Sequence, residues 1–62
     1  MEIVLDYAAE AARHRKVAEE YRTLAALTRD DALATTYRKV ADAYEDLADN
    51  EDRLAQTSGK PN

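Results

Sequence analysis

Sixty-two residues and 7.0 kDa limit the chain to one small domain. One glycine, one proline and no cysteine exclude a disulfide scaffold, a zinc finger, a collagen repeat and a glycine-rich phosphate loop. Nine Lys and Arg against thirteen Asp and Glu give a net charge of -4, which disfavours generic attraction to nucleic acid or anionic membrane.

The hydrophobic share of 45% is thinner than it looks. Thirteen of those residues are alanine, four are tyrosine and only ten are Ile, Leu or Val. Ten in 62 is about 16%, below the roughly 20% at which a charged chain is suspected of disorder. No apolar run approaches the ~20 residues of a membrane span. The opening Met1-Glu2-Ile3-Val4-Leu5-Asp6 has acids where a secretory leader needs bases. The expectation is a soluble, cytoplasmic protein, and the lack of cysteine fits a reducing compartment.

Periodicity predicts a first helix over about 3–28. With Tyr21 labelled a in a heptad, the a column reads Tyr7, His14, Tyr21, Thr28. The d column reads Ile3, Glu10, Val17, Leu24, and the e column Val4, Ala11, Ala18, Ala25. Apolar a, d and e positions make a stripe of roughly 100°, wider than a two-stranded coiled-coil seam. Ala, Leu, Glu, Arg and Lys dominate, with no interior glycine or proline.

A break follows at about 28–31. Asp30, or Thr28 with Asp31 three residues on, can cap a new helix there. The second helix is predicted over about 31–56, with Leu33, Val40, Leu47 and Leu54 at d. Tyr37, Tyr44 and Glu51 stand at a, and Ala34, Ala41, Ala48 and Ala55 at e. Residues 57–62 read as a disordered tail.

The two helices are copies of one motif, R-K-V-A-[ED]-x-Y-x-x-L-A, running from Arg15 and again from Arg38. The offset of 23 residues turns a continuous helix by about 140°, so its two stripes would point apart. Folding back lets them meet, and the fold class is an all-α antiparallel hairpin. A bend at 28–31 aligns residues whose numbers add to about 61. That sets Leu24 against Tyr37, Tyr21 against Val40, Val17 against Tyr44, His14 against Leu47 and Tyr7 against Leu54.

Two helices alone cannot bury an a/d/e stripe on each other, and disulfides are absent. Association is the remaining device. The expectation is a homodimer forming an antiparallel four-helix bundle, with the alanine columns as close-approach surfaces. Its self-association core comprises Tyr7, Val17, Tyr21, Leu24, Leu33, Tyr37, Val40, Tyr44, Leu47 and Leu54. The tyrosines are read as core with hydroxyls at the bundle edge, rather than as a stacking platform.

Catalysis has little to stand on, and no enzyme activity, cofactor or metal is expected. His14 is the single histidine, with no cysteine, second histidine or His-spaced carboxylate for a triad or zinc set. Glu10, four residues before it, can hydrogen-bond it, and the reading is a partly buried interface histidine. Glu10 and Glu51 fall opposite one another on core-facing columns. Neither belongs to a Glu-x-x-His motif of the di-iron bundles, and both are expected to reach solvent at the open end of the hairpin.

Charge is segregated. Arg15, Arg22 and Arg29 recur every seven residues, flanked by Arg13 and Lys16. The second helix carries Asp42, Glu45, Asp46, Asp49, Glu51 and Asp52. The favoured reading is intramolecular, the two blocks fixing antiparallel orientation. Two sharper readings remain. The basic row Arg13, Arg15, Lys16, Arg22 and Arg29 can grip an RNA or DNA backbone, in the manner of repressor-of-primer hairpin dimers. Alternatively, the acidic row Asp42, Glu45, Asp46, Asp49 and Asp52 can dock a basic protein.

Tyr21-Arg22-Thr23-Leu24-Ala25, followed by Tyr37-Arg38-Lys39-Val40-Ala41-Asp42-Ala43-Tyr44-Glu45-Asp46-Leu47-Ala48, resembles a group of very short alphaproteobacterial proteins. Their pattern is Y-x-x-L-A, a capped break, then Y-x-x-[IVM]-A-[ED]-x-Y-E-x-L-A. The similarity covers residues 13–49 and departs at the break, where Asp30-Asp31 replaces Asp-Pro. The resemblance implies a bacterial helical hairpin with no assigned activity. The chemistry points to a small self-associating helical protein that works by protein contact.

Overall fold

A computed structural model describes residues 6–58, all of whose regular structure is helical. Helix α1 spans Tyr7–Leu27 and helix α2 spans Asp31–Ser58. They pack side by side as the expected antiparallel hairpin. The described part of the first helix begins at Tyr7, and residues 3–5, which the periodicity assigns to it, lie outside the described residues. The second runs through Thr57 and Ser58, two residues of the expected tail, and 59–62 are likewise outside.

One device starts both helices. At α1, the Asp6 carboxylate accepts from the Ala9 N–H at 3.1 Å, and the Asp6 carbonyl accepts from Glu10 N–H at 3.0 Å. At α2, Asp30 accepts from Leu33 N–H at 3.0 Å through its carboxylate and from Ala34 N–H at 2.8 Å through its carbonyl. Each aspartate satisfies a donor the helix itself leaves orphaned and sets negative charge at the positive end of the dipole. Of the two caps considered for α2, Asp30 takes the role.

The bend itself needs no glycine. Thr28 is extended (φ -73°, ψ 145°) while its N–H still donates to the Leu24 carbonyl at 3.0 Å. Its hydroxyl then accepts from Asp30 N–H at 3.2 Å, tying the exit of α1 to the cap of α2. No described residue has positive φ.

The interior consists of alanine. Ala11, Ala18, Ala25, Ala34, Ala41 and Ala48 are buried, and no larger side chain among the described residues is fully buried. These six occupy the e columns, so the close-approach surface lies within one chain. Contacts made by methyl groups bring helix axes to the short end of the usual ~8–10 Å range. Alanine gives up no side-chain entropy in doing so.

Centring the seam on e decides where everything else goes. At 100° per residue, a lies about 40° to one side of e, with d about 60° beyond it. Column b lies about 60° to the other side, with f beyond. In an antiparallel pair, a and d of both helices share one broad face, and b and f share the opposite one.

The expected partners across the hairpin are accordingly revised. Tyr21, expected against Val40, has Tyr37 and Tyr44 as ring neighbours, at centroid separations of 5.8 and 6.1 Å. His14 sits 5.7 Å from Tyr44. Tyr21, Tyr37 and Tyr44 therefore meet aromatic rings across the seam. With e at the centre, the a columns approach each other across the seam while the d columns are pushed outward.

Candidate functional site

The b/f face is a repeated ion-pair ladder. Arg15 donates from Nη2 to Asp49 Oδ1 at 2.7 Å, and its Nη1 lies 2.7 Å from Asp52 Oδ2. One heptad on, Arg22 repeats the arrangement. Nη2 donates to Asp42 Oδ1 at 2.9 Å, while Nε and Nη2 engage the two oxygens of Glu45 at 3.2 and 2.9 Å. The two-pronged grip on Glu45 suits the planar guanidinium. Each arginine is held above its ordinary pKa: at Arg15 by hydrogen bonds to Asp52 and then Asp49, at Arg22 by those to Glu45 and then Asp42. Both outweigh partial desolvation.

The ladder stops where the sequence stops supplying acids. Positions seven before Asp42 and Glu45 are Thr35 and Arg38, so Arg29 has no matching pair. Arg13 pairs along its own helix with Glu10. Among the described residues, Lys16, Arg29 and Asp46 are exposed and join no ion pair. Two of the five basic-row residues, Arg15 and Arg22, thus pair with four of the five acidic-row residues.

The a/d face is apolar and open. Leu24, Leu33, Leu47 and Leu54 are 40–46% exposed. Val17, Val40 and the tyrosines Tyr7, Tyr21, Tyr37 and Tyr44 are half-buried. All ten candidate self-association residues therefore lie on this face, and none is enclosed by the hairpin. Val40, Ala43, Tyr44 and Leu47 line a shallow groove on α2. Covering a leucine fully is worth about 1.5–3 kcal/mol, so each leaves a sizeable part of that unrealised.

The acids expected at the open end behave differently from expectation. Glu51 reaches across the hairpin to His14, its Oε1 at 2.8 Å from Nδ1. Their side chains are only 12% and 19% exposed, so Glu51 is turned inward and not solvated. Glu10, one turn before His14 on α1, brings its carboxylate to the same place, and one donor atom from each lies within 4.8 Å of the others. The spacing of Glu10 and His14 and the alignment of Glu10 with Glu51 were separately legible. Combining the two signals points to all three residues.

No helix among the described residues is long and apolar enough to cross a membrane. No protein-family model matches the chain, and no match was found to it among curated proteins or among solved structures.

Proposed function

We propose that the chain is a self-associating helical module, in which two hairpins pack their a/d faces together as an antiparallel four-helix bundle. It acts by protein contact and performs no covalent chemistry. The observation that supports this is the division of labour between columns. Alanine alone fills the interior of the hairpin, while its large aliphatic residues stand on one open face. A second copy is the occupant of that face for three reasons. The described hairpin buries only alanine and carries no disulfide, so it has no large core of its own. The face is built from a duplicated motif, so it is similar on both helices and suits a two-fold interface. The ionic ladder on the opposite side is satisfied within the chain and can remain in water.

Size-exclusion chromatography of Leu24→Lys and Leu47→Lys tests this. Each variant is expected to shift to monomer, because each buries a charge in the proposed interface. Elution unchanged from the parent would refute the assignment of the face. The competing reading, a basic row that grips RNA, loses support from the pairing of Arg15 and Arg22 with four carboxylates. A salt-sensitive gel shift abolished by Arg15→Glu with Arg22→Glu would revive it.

A further inference from the structure

We propose that Glu10, His14 and Glu51 form a binding site for a divalent first-row transition ion of the zinc type, held between the two helices of one chain. Glu10 and His14 are four residues apart, so they project from one side of α1 on successive turns. Glu51 supplies a third donor from α2, already at 2.8 Å from the imidazole. One donor atom from each residue falls within 4.8 Å of the others. A tetrahedral ion with ligands at 2.0–2.2 Å needs its donors about 3.4 Å apart, so side-chain adjustment without movement of the helices can close the set.

Burial and chemistry both favour this class of ion. His14 and Glu51 are 19% and 12% exposed, and Glu10, at 31%, leaves one side accessible for entry. Two carboxylates offset the charge of a divalent cation, while the imidazole selects against magnesium, which prefers oxygen donors and retains its waters. The neighbouring Arg13 guanidinium contacts the Glu10 carboxylate and can stay as its outer hydrogen-bond donor. Three protein ligands leave a further position for water or a partner's side chain. One chain supplies all three donors, which stand on the a and d columns of the face proposed to pair, so Zn2+ uptake by the monomeric Leu47→Lys chain separates this site from self-association.

Binding would clamp the open end of the hairpin, the end remote from the Thr28–Asp30 bend, and stabilise the folded chain by mass action. The test is calorimetric titration of the metal-stripped full chain with Zn2+ in excess Mg2+, alongside Co2+ titration followed by visible absorption. The expected result is one ion per chain, undisturbed by Mg2+, with cobalt ligand-field bands. His14→Ala and Glu51→Gln should each weaken Zn2+ by more than the roughly 10–100-fold that loss of an outer-shell hydrogen bond costs. Glu10→Gln should weaken it too, and Asp46→Asn should leave it unchanged. If His14→Ala fails to fold, the His14 imidazole resonances of the parent protein must shift on adding Zn2+. Absence of uptake, displacement by Mg2+, binding indifferent to His14→Ala and Glu51→Gln, or unmoved imidazole resonances would each overturn the site.

Discussion

The two broad faces of the hairpin are cut from the same heptads but are completed in opposite ways. On the b/f face, Arg15 and Arg22, seven residues apart, each meet two acids inside the chain, Asp49 with Asp52 and Asp42 with Glu45. On the a/d face, leucines repeat at the same interval and remain 40–46% exposed. The contrast separates two jobs. The charged face matches this register of α2 along α1, because a shifted arrangement would lose the ladder. The apolar face is left open by the hairpin. Between them lies the alanine seam, where the helices meet.

The largest disturbance should come from the seam, since both faces are positioned by it. Ala41 is 0% exposed, and Ala41→Leu forces three extra heavy atoms between the closely spaced helices. Overpacking of this kind costs about 1–3 kcal/mol. At roughly 4–8 °C per kcal/mol for a domain of this size, thermal melting by circular dichroism should drop by several degrees or more. A variant as stable as the parent would show that the helices are not held at alanine distance.

A smaller loss is expected at the cap that launches α2. Asp30→Ala removes the acceptor for Leu33 N–H and should cost about 1 kcal/mol, with Asp30→Asn largely sparing it. The same melting experiment checks both, and equal melting of the two variants would show that the capping oxygen is unimportant.

The smallest effect belongs to the charged face. Arg22→Gln should lower the melting temperature slightly, and the deficit should shrink as salt rises, because these pairs are exposed and screened. Arg22→Glu should be worse than Arg22→Gln, since it sets like charge against Asp42 and Glu45. Alkali is not the lever here. A raised arginine pKa means its stabilising contribution is fully present below the unfolded-state pKa and is lost only as pH climbs through the still higher folded value. Across ordinary pH the arginine contribution is flat. A salt-independent deficit in Arg22→Gln would point to packing by the aliphatic stem instead.

The hairpin could be read from the duplicated R-K-V-A motif and the aspartates at the break, because rotation per residue and capping are local rules. What could not be read was which part of a 100° stripe turns toward the sister helix. Hydrophobic pattern weights large side chains, so Leu and Tyr columns look like the centre of the seam. The closest approach instead runs through Ala11, Ala18 and Ala25 against the Ala34, Ala41 and Ala48 column. Once e is central, Tyr21 must meet Tyr37 and Tyr44, and Leu47 must face outward. Glu51 is the same lesson in polar form. In sequence it reads as a solvated end-of-helix acid, because its partner His14 lies 37 residues away and only the folded hairpin joins them.

The central claim is that the open leucine face is closed by another copy of the chain. Sedimentation equilibrium of the unmodified protein at micromolar concentration tests it most directly, with helicity recorded on the same sample. The expected result is a helical species of at least twice the 7.0 kDa chain mass, dissociating as concentration falls. A fully helical, cooperatively melting 7.0 kDa monomer would contradict it, for the alanine seam and ion-pair ladder would then suffice alone.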